Sequence, residues 1–484
     1  MKKLRLFFIT LIALYLILLI PFTKDNNEIY NASKTPFNWN QDALWVSLEK
    51  SFQRAKEMQS FKLDSLVEKL TIETDVFFSD LENTVHNPDD TIYGLIEKSF
   101  FKIAPLIAAQ KIKSDWYLKF YNRIRKKLKE DSKHWDMSSP IARNTSYRIL
   151  YGMRAATEEI LLQTNDNEFI SKSLVTDEPS ITPFVNVFGI KVHSGDLLVS
   201  RGGAEVSAFI SRGNDYPGNF SHVALIHIDK ETNAPYFVEA HIERGVAISN
   251  LNEYLKDKKL RFMVLRPRFD LQEITSNPSL PYEASKFIFD ECQTRHISYD
   301  FKMDYHDDSA MFCSEVGSYA YKHYGINLWE FQSTISSNGI INWLHDFGVN
   351  YFLTQMPSDL EYDPALSVVG EWRNKETLFQ DHIDNAVMDA LIGEANNGKK
   401  LDYNLWALPI ARLVKGYCFI QNTFGIESII PEGMDAVTAL KNNYFVEQFQ
   451  NLKFKTIKKV EQFKKERGYL PPYWQLVRMA EESI

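Results

Sequence analysis

A chain of 484 residues, 44% of them hydrophobic, is long enough for several domains or one large elaborated unit and apolar enough to bury a substantial core. That composition excludes global disorder, and a net charge of −8 argues against nucleic acid as the main partner. The cysteines, Cys292, Cys313 and Cys418, are too few for a disulfide framework. At most one pair could form; Cys292 with Cys418 would leave Cys313 free, and otherwise both read as ordinary buried thiols.

The chain opens on Met1-Lys2-Lys3-Leu4-Arg5, then runs uncharged for 17 residues from Leu6 to Phe22. That is the short end of a membrane span and slightly long for the core of a signal peptide. Bulky residues at Ile20-Pro21-Phe22-Thr23-Lys24 offer no small-x-small cleavage site. Residues 1–24 therefore read as an uncleaved signal-anchor or transmembrane segment, with a signal peptide cleaved on secretion as the alternative. Lys2, Lys3 and Arg5 before the span, with Asp25 and Glu28 after it, put the remainder on the extracytoplasmic (periplasmic) side. Residues 25–40, rich in Asn, Thr and Pro, read as a linker.

Residues 41–170 carry a helical period: Leu44, Leu48, Phe52 and Ala55 share a stripe, as do Leu63, Leu66, Val67 and Leu70. Asp89-Asp90-Thr91 marks a helix start. Lys111 to Lys129 is basic and aromatic at once. It reads either as a contact for anionic lipid or polymer, or more simply as a solvated helix face over an aromatic underside. Between Ser171 and Pro183 the composition turns to Ser, Thr, Asp and Pro, and beyond it the period changes to two. Strands are expected at Val185–Val192, Asp196–Ser200, His222–His227, Tyr236–Ala240, Val246–Ser249 and Phe262–Arg266. Helices are expected at Pro281–Thr294 and Phe312–Tyr324, the second stopped by Gly325. Residues 355–370 read as loop, and helical patterning returns from Gly370 to Ile484. The order is helices, an α+β module, then helices.

The chemistry gathers in that module. At the start of its helix, the Cys313 thiol would face unpaired backbone N–H groups and the positive end of the helix dipole, both of which favour the thiolate. His222, at the start of a mostly buried strand, could lean into a cleft and act as base to a thiol; alone it could equally be a satisfied structural histidine. Glu239, within an apolar strand, needs a partner, because an unpaired buried charge is costly. Pairing with His222 from the neighbouring strand would satisfy it and fix the imidazole tautomer. His241 and Glu243 are rivals for that role, and strand alternation puts Glu239 and His241 on one face.

Gly195-Asp196-Leu197-Leu198, Ser221-His222, Val238-Glu239-Ala240 with Gly245-Val246, Arg266-Pro267 and Phe312-Cys313-Ser314-Glu315 together resemble the permuted NlpC/P60 cysteine hydrolases, the YiiX/YebB-like branch of permuted papain-like amidases. Tyr299-Asp300-Phe301 is similar to the segment before the nucleophile in such proteins. His222 precedes Cys313 by 91 residues, which is the permuted order. The resemblance covers about residues 190–330. It implies a papain-like module with an antiparallel sheet, drawn at 184–350, flanked by helical regions at 41–170 and 351–484. It also implies a thiol hydrolase with Cys313 as nucleophile, His222 as base, Glu239 as orienter and backbone N–H groups near Cys313 holding the oxyanion. Related members act on amide bonds of peptidoglycan peptides, and distant relatives move acyl chains between lipids.

No cofactor is implied. His241, Glu243, His222 and His227 do not make HExxH or paired CxxC spacing, so no metal site is read. Gly202-Gly203 is not a phosphate loop, and neither Ser221 nor Ser314 sits in a Gly-x-Ser-x-Gly elbow. The expectation is a membrane-anchored extracytoplasmic cysteine amidase or endopeptidase whose partner is a cell-wall peptide or lipid-linked substrate. A lipid acyltransferase or lipase on the same fold, or a non-catalytic tethered binding protein, stands as the alternative.

Overall fold

Side-chain alternation over one antiparallel sheet organises the chain. In this computed structural model residues 2–20, 35–37, 42–79, 81–304, 306–329, 331, 333–423, 428–431 and 433–484 are described. Helices come first: α1 (Lys2–Leu19), α2 (Asp42–Glu57), α3 (Ser60–Ser79), α4 (Thr91–Gln110), α5 (Ser114–Ser132), α6 (Pro140–Tyr147) and α7 (Met153–Gln163). Next are β1 (Lys172–Leu174), β2 (Phe184–Val187), β3 (Ile190–His193), β4 (Leu197–Gly202), α8 (Glu205–Arg212), β5 (His222–Ile228), β6 (Pro235–His241), β7 (Gly245–Asn250), α9 (Leu251–Lys256) and β8 (Lys259–Pro267). They are followed by α10 (Gln272–Ser276), α11 (Leu280–Thr294), β9 (Ser298–Tyr299), β10 (Ala310–Met311), α12 (Glu315–Lys322), β11 (Ser333–Thr334), α13 (Asn338–Asp346), β12 (Leu353–Thr354) and β13 (Leu366–Arg373). The chain ends in α14 (Lys375–Asn396), α15 (Leu408–Thr423), α16 (Ala436–Arg467) and α17 (Tyr473–Glu481).

The seven-stranded sheet has the order β1-β13-β8-β4-β5-β6-β7, each neighbouring pair antiparallel. Leu197, Val199, Val223, Leu225, Val238 and Met263 point to one side, into a core shared with the N-terminal helices, α11 and α12. Leu198, Ala224, Ile226, Phe237, Phe262 and Val264 point to the other, against the β2–β3 hairpin and Tyr254 of α9. A separate core joins α8, α13, α14, α16 and α17 around Phe209, Trp343, Val387, Phe445 and Leu476. The fold class read from the sequence, an α+β module with an antiparallel sheet between helical regions, is the one observed.

Local differences have local causes. Val185–Val192 is a hairpin, not one strand, because Phe188 and Gly189 both take positive φ (49° and 76°) in a two-residue turn. Where a loop and a helix were expected near residue 370, β13 lies inside the sheet. A register shift between Val368 and Gly370 breaks its alternation, which hides it from a period-two reading. The basic run of α5 is not simply a solvated face: Lys119 and Lys126 are exposed, but part of the run is internal. Arg125 is fully buried with Nη1 2.6 Å from Glu371 Oε1, and Lys129 donates to the carbonyls of Glu361 and Asp363. Lys113 pairs with Glu68 at 2.7 Å, and Arg123 with Asp75 at 2.8 Å. Arg125 and Lys129 dock α5 onto the β13 side of the sheet, while Lys113 and Arg123 tie it to α3.

Among the described residues no helix is long and apolar enough to cross a membrane. Helix α1 stops at Leu19, so its uncharged part from Leu6 spans about 21 Å at 1.5 Å per residue, against roughly 30 Å of hydrocarbon. The expected span is corrected accordingly. Pro21 and Phe22, and most of the expected 25–40 linker, lie outside the described residues. All three cysteines are free, Cys313 and Cys418 buried and Cys292 half-buried, so Cys292 and Cys418 are not paired.

Candidate active site

His222 opens β5 because the turn before it is tied down on both sides. Phe220 N donates to Ser358 Oγ at 3.0 Å and Ser221 N to Ser200 O at 2.9 Å, which holds the turn to β4. The β5–β6 register pairs Leu225 with Val238. Extended to the strand end, it sets His222 opposite His241 and puts Glu239 on the adjacent diagonal of the same face. The contacts follow: His222 Nε2 lies 2.7 Å from Glu239 Oε2, and His241 Nε2 lies 3.3 Å from Glu239 Oε1. The carboxylate thus sits between two imidazoles whose centroids are 5.7 Å apart. Glu243, the third rival, falls in the β6–β7 turn, outside the strand that carries Glu239 and His241.

Cys313 arrives from a different part of the chain. Parallel β9 and β10 align Tyr299 with Met311, and Asp300 N donates to Met311 O at 3.1 Å. Glu315 then closes the turn by accepting from Phe312 N at 2.8 Å. Helix α12 begins at Glu315, so Cys313 lies two residues ahead of the helix rather than inside it. Its thiol lies 3.8 Å from Ser221 O, the carbonyl joined to His222, and close enough to His222 to raise the pKa of the ring. Since Glu239 occupies Nε2, Nδ1 is the ring nitrogen left for the sulfur. The three sequence-selected residues, Cys313, His222 and Glu239, therefore meet. Ser314, by contrast, commits its hydroxyl to Gln355 O at 2.7 Å.

The electrostatics are those of an ion-pair site. Burial alone would lower the His222 pKa, but hydrogen bonds to Cys313 and Glu239 raise it to about 9. Burial alone would raise the Glu239 carboxyl, but bonds to His222 and His241 hold it far below the usual carboxylate range. Glu315 behaves in the opposite way. Burial, with the nearby charges of Asp300, Asp308 and Cys313, outweighs its bond to Phe312 N and pushes it up to about 9. The sequence reading included Glu315 in the motif but missed this buried acid, because hydropathy and spacing carry no record of what packs over a side chain. It also missed the phenol of Tyr254 and the ammonium of Lys259, both of which sense the Glu239 charge.

A cavity of about 490 Å³ lies beside this site. Tyr299 and Glu243 line it together with the apolar Phe209, Phe347, Ile410 and Val414. Burial, and then the proximity of Cys313, keeps the Tyr299 hydroxyl protonated well above its ordinary range.

Residues 191–370 match a known family. Its description is permuted papain-like amidase enzyme, YaeF/YiiX, C92 family. The match bears out the resemblance carried by the sequence motifs and supports a cysteine hydrolase acting at an amide bond. Among solved structures, one titled metalloprotein yiiX from Escherichia coli O157:H7 is similar over 37% of this chain and 96% of its own, with 18% identity and a TM-score of 0.30. No curated protein matches. Among the described residues of this chain, no group of three or more His, Cys, Asp or Glu is arranged to hold a metal ion.

Proposed function

We propose that the chain is an extracytoplasmic, membrane-associated thiol hydrolase that cleaves an amide bond of a peptidoglycan peptide or related substrate. Cys313 is the nucleophile, His222 the general base and Glu239 the carboxylate that orients it. One observation carries this reading: Glu239 holds the His222 ring at 2.7 Å while the Cys313 thiol sits 3.8 Å from Ser221 O, the carbonyl joined to His222. The Cys313 thiol gives its proton to His222, and Glu239 stabilises the imidazolium. The thiolate attacks the carbonyl carbon, with the oxyanion held by backbone N–H groups near the start of α12. His222 protonates the departing amine as the C–N bond breaks, leaving a thioester on Cys313. Water, deprotonated by His222, then attacks the thioester, releases the carboxylic acid and restores the thiol. Wild type should take a thiol-directed activity probe and Cys313→Ala should not; unchanged labelling of the variant overturns the assignment. A cell-wall digest compared by mass spectrometry between the two forms identifies the bond.

The cavity favours a second reading, a lipid acyltransferase or lipase on the same fold. An apolar space of about 490 Å³ reaching Tyr299 suits a hydrocarbon chain better than a charged cell-wall peptide. Phe347→Trp narrows that space. If the second reading holds, this variant loses turnover of long-chain acyl substrates and keeps that of short-chain ones.

A further inference from the structure

The exposed apolar side chains of this molecule concentrate on two helices. On α1, Leu6, Ile9, Ile12 and Ile17 are all more than half exposed, as are Trp406, Ile410, Leu413 and Phe419 in or just before α15. The two stretches are far apart in sequence and adjacent in space. The Tyr15 hydroxyl donates to the Trp406 carbonyl at 2.8 Å, and Arg412 Nη1 donates to the Leu18 carbonyl at 2.7 Å. An apolar helix left open on this scale is not a surface that water tolerates well.

Length and charge say what covers it. Helix α15 has 16 residues, about 24 Å, and carries Arg412 and Lys415, so like α1 it is too short to span a bilayer. Residues 1–20 hold three basic and no acidic side chains, residues 405–423 two basic and none acidic, in a chain of net charge −8. Basic residues set among exposed apolar and aromatic ones match the interface of an anionic bilayer, with the helices lying in its plane. A second protein copy, itself carrying the same basic residues, is the poorer complement.

We propose that α1 and the Leu405–Thr423 segment form one composite lipid-binding surface, so that a helix from the far end of the chain shares the membrane contact with the N-terminal one. Ile410 lies on this surface and also lines the cavity beside Cys313, which brings the cavity wall to the membrane. The surface does not depend on the chemistry at Cys313.

The test is flotation of the full-length protein with vesicles of phosphatidylglycerol and phosphatidylethanolamine, against vesicles of phosphatidylcholine alone. Wild type should float with the anionic vesicles, less so as salt rises. The triple variant Trp406→Gln, Ile410→Gln, Leu413→Gln should lose roughly tenfold in bound fraction although α1 is untouched. Cys313→Ala should float like wild type, which separates failure of the surface from failure of the catalytic reading. If the triple variant misfolds by circular dichroism, brominated lipid provides the second measurement: it should quench wild-type tryptophan fluorescence more than that of Trp406→Phe. Three results overturn the proposal: flotation of a folded triple variant at wild-type level, equal binding to neutral vesicles, or a dimer in light scattering that vesicles leave intact and the triple variant dissolves.

Discussion

His222 and Glu239 stand 17 residues apart in the chain, yet Nε2 of one lies 2.7 Å from Oε2 of the other across the β5–β6 pair. Glu239→Gln keeps the shape and removes the charge. The imidazolium then loses its stabilising partner, and the amide can hold the ring in the wrong tautomer. The fold should survive, and kcat on the identified substrate should fall by roughly 10²–10⁴ with KM little changed. Steady-state kinetics with a thermal melt on the same preparation checks this. Unchanged turnover in Glu239→Gln removes the carboxylate from the mechanism.

The same pair shapes stability against pH. His222 keeps its proton up to about pH 9, above its ordinary 6.5. A group whose folded pKa is raised contributes stability that is complete below the unfolded value and lost as pH climbs through the folded one. Glu239 is displaced the other way, so its share is present above the ordinary carboxylate range and lost as acid protonates it. The difference in urea stability between wild type and His222→Gln should therefore shrink as pH rises from 6.5 to about 9. A difference that is flat across that window contradicts the raised pKa.

Much of this was legible in the residues, and for physical reasons. The unbroken apolar runs Leu197–Val199 and Val223–Ile226 announce strands with both faces buried, and both faces are indeed covered by separate cores. A glutamate inside the apolar run Phe237–Ala240 demands a partner, and the nearest strand supplies His222. Other features were not legible. The β13 strand is masked by its bulge, and the α5 basic run looks solvated until Glu371, some 246 residues from Arg125, comes to meet it. The start of α12 was misjudged by a few residues because Ser314 and Glu315 suit a helix cap and a first turn equally well.

Glu371 itself is a point of failure. Its Oε1 accepts from Arg125 Nη1 at 2.6 Å and Arg154 Nε at 3.3 Å, and its Oε2 from Arg373 Nη1 at 2.7 Å, all with little solvent access. Burial would raise this carboxyl, but the three guanidiniums hold it well below the usual range. Glu371→Gln leaves buried cations short of a counter-charge, which costs roughly 3–5 kcal/mol. Urea denaturation near neutral pH should record a loss of that order, where a comparable exposed carboxylate such as Glu73 gives almost none.

Gly245 joins β6 to β7 with φ near 74°, and a Cβ there would lie 2.2 Å from the carbonyl oxygen of Ile297. Both the left-handed backbone and the close approach exclude a side chain, and Val246 N bonds that same carbonyl at 2.9 Å. Gly245→Ala should cost roughly 2–4 kcal/mol and pull β7 away from the segment leading to Tyr299. Gly393→Ala, inside α14 with open space around it, should instead gain up to about 1 kcal/mol. Paired thermal melts test the contrast, and equal effects would contradict it.

Glu315 gives the opposite pH signature to Glu239 although both flank Cys313. Its carboxyl is pushed up to about 9 by burial and by neighbouring negative charge, so at neutral pH it carries its proton while accepting from Phe312 N through Oε2. A carboxyl with a raised folded pKa binds its proton more tightly in the native state, so stability falls as pH rises from the ordinary carboxylate range toward 9. Glu315→Gln keeps an acceptor for Phe312 N and has nothing to ionise. The variant should match wild type near pH 5 and exceed it increasingly toward pH 9, while Glu315→Ala, lacking the acceptor, should be weaker at both. Urea denaturation of the three forms at the two pH values decides it. A Gln variant that tracks wild type at alkaline pH would mean that Glu315 ionises freely beside the thiol.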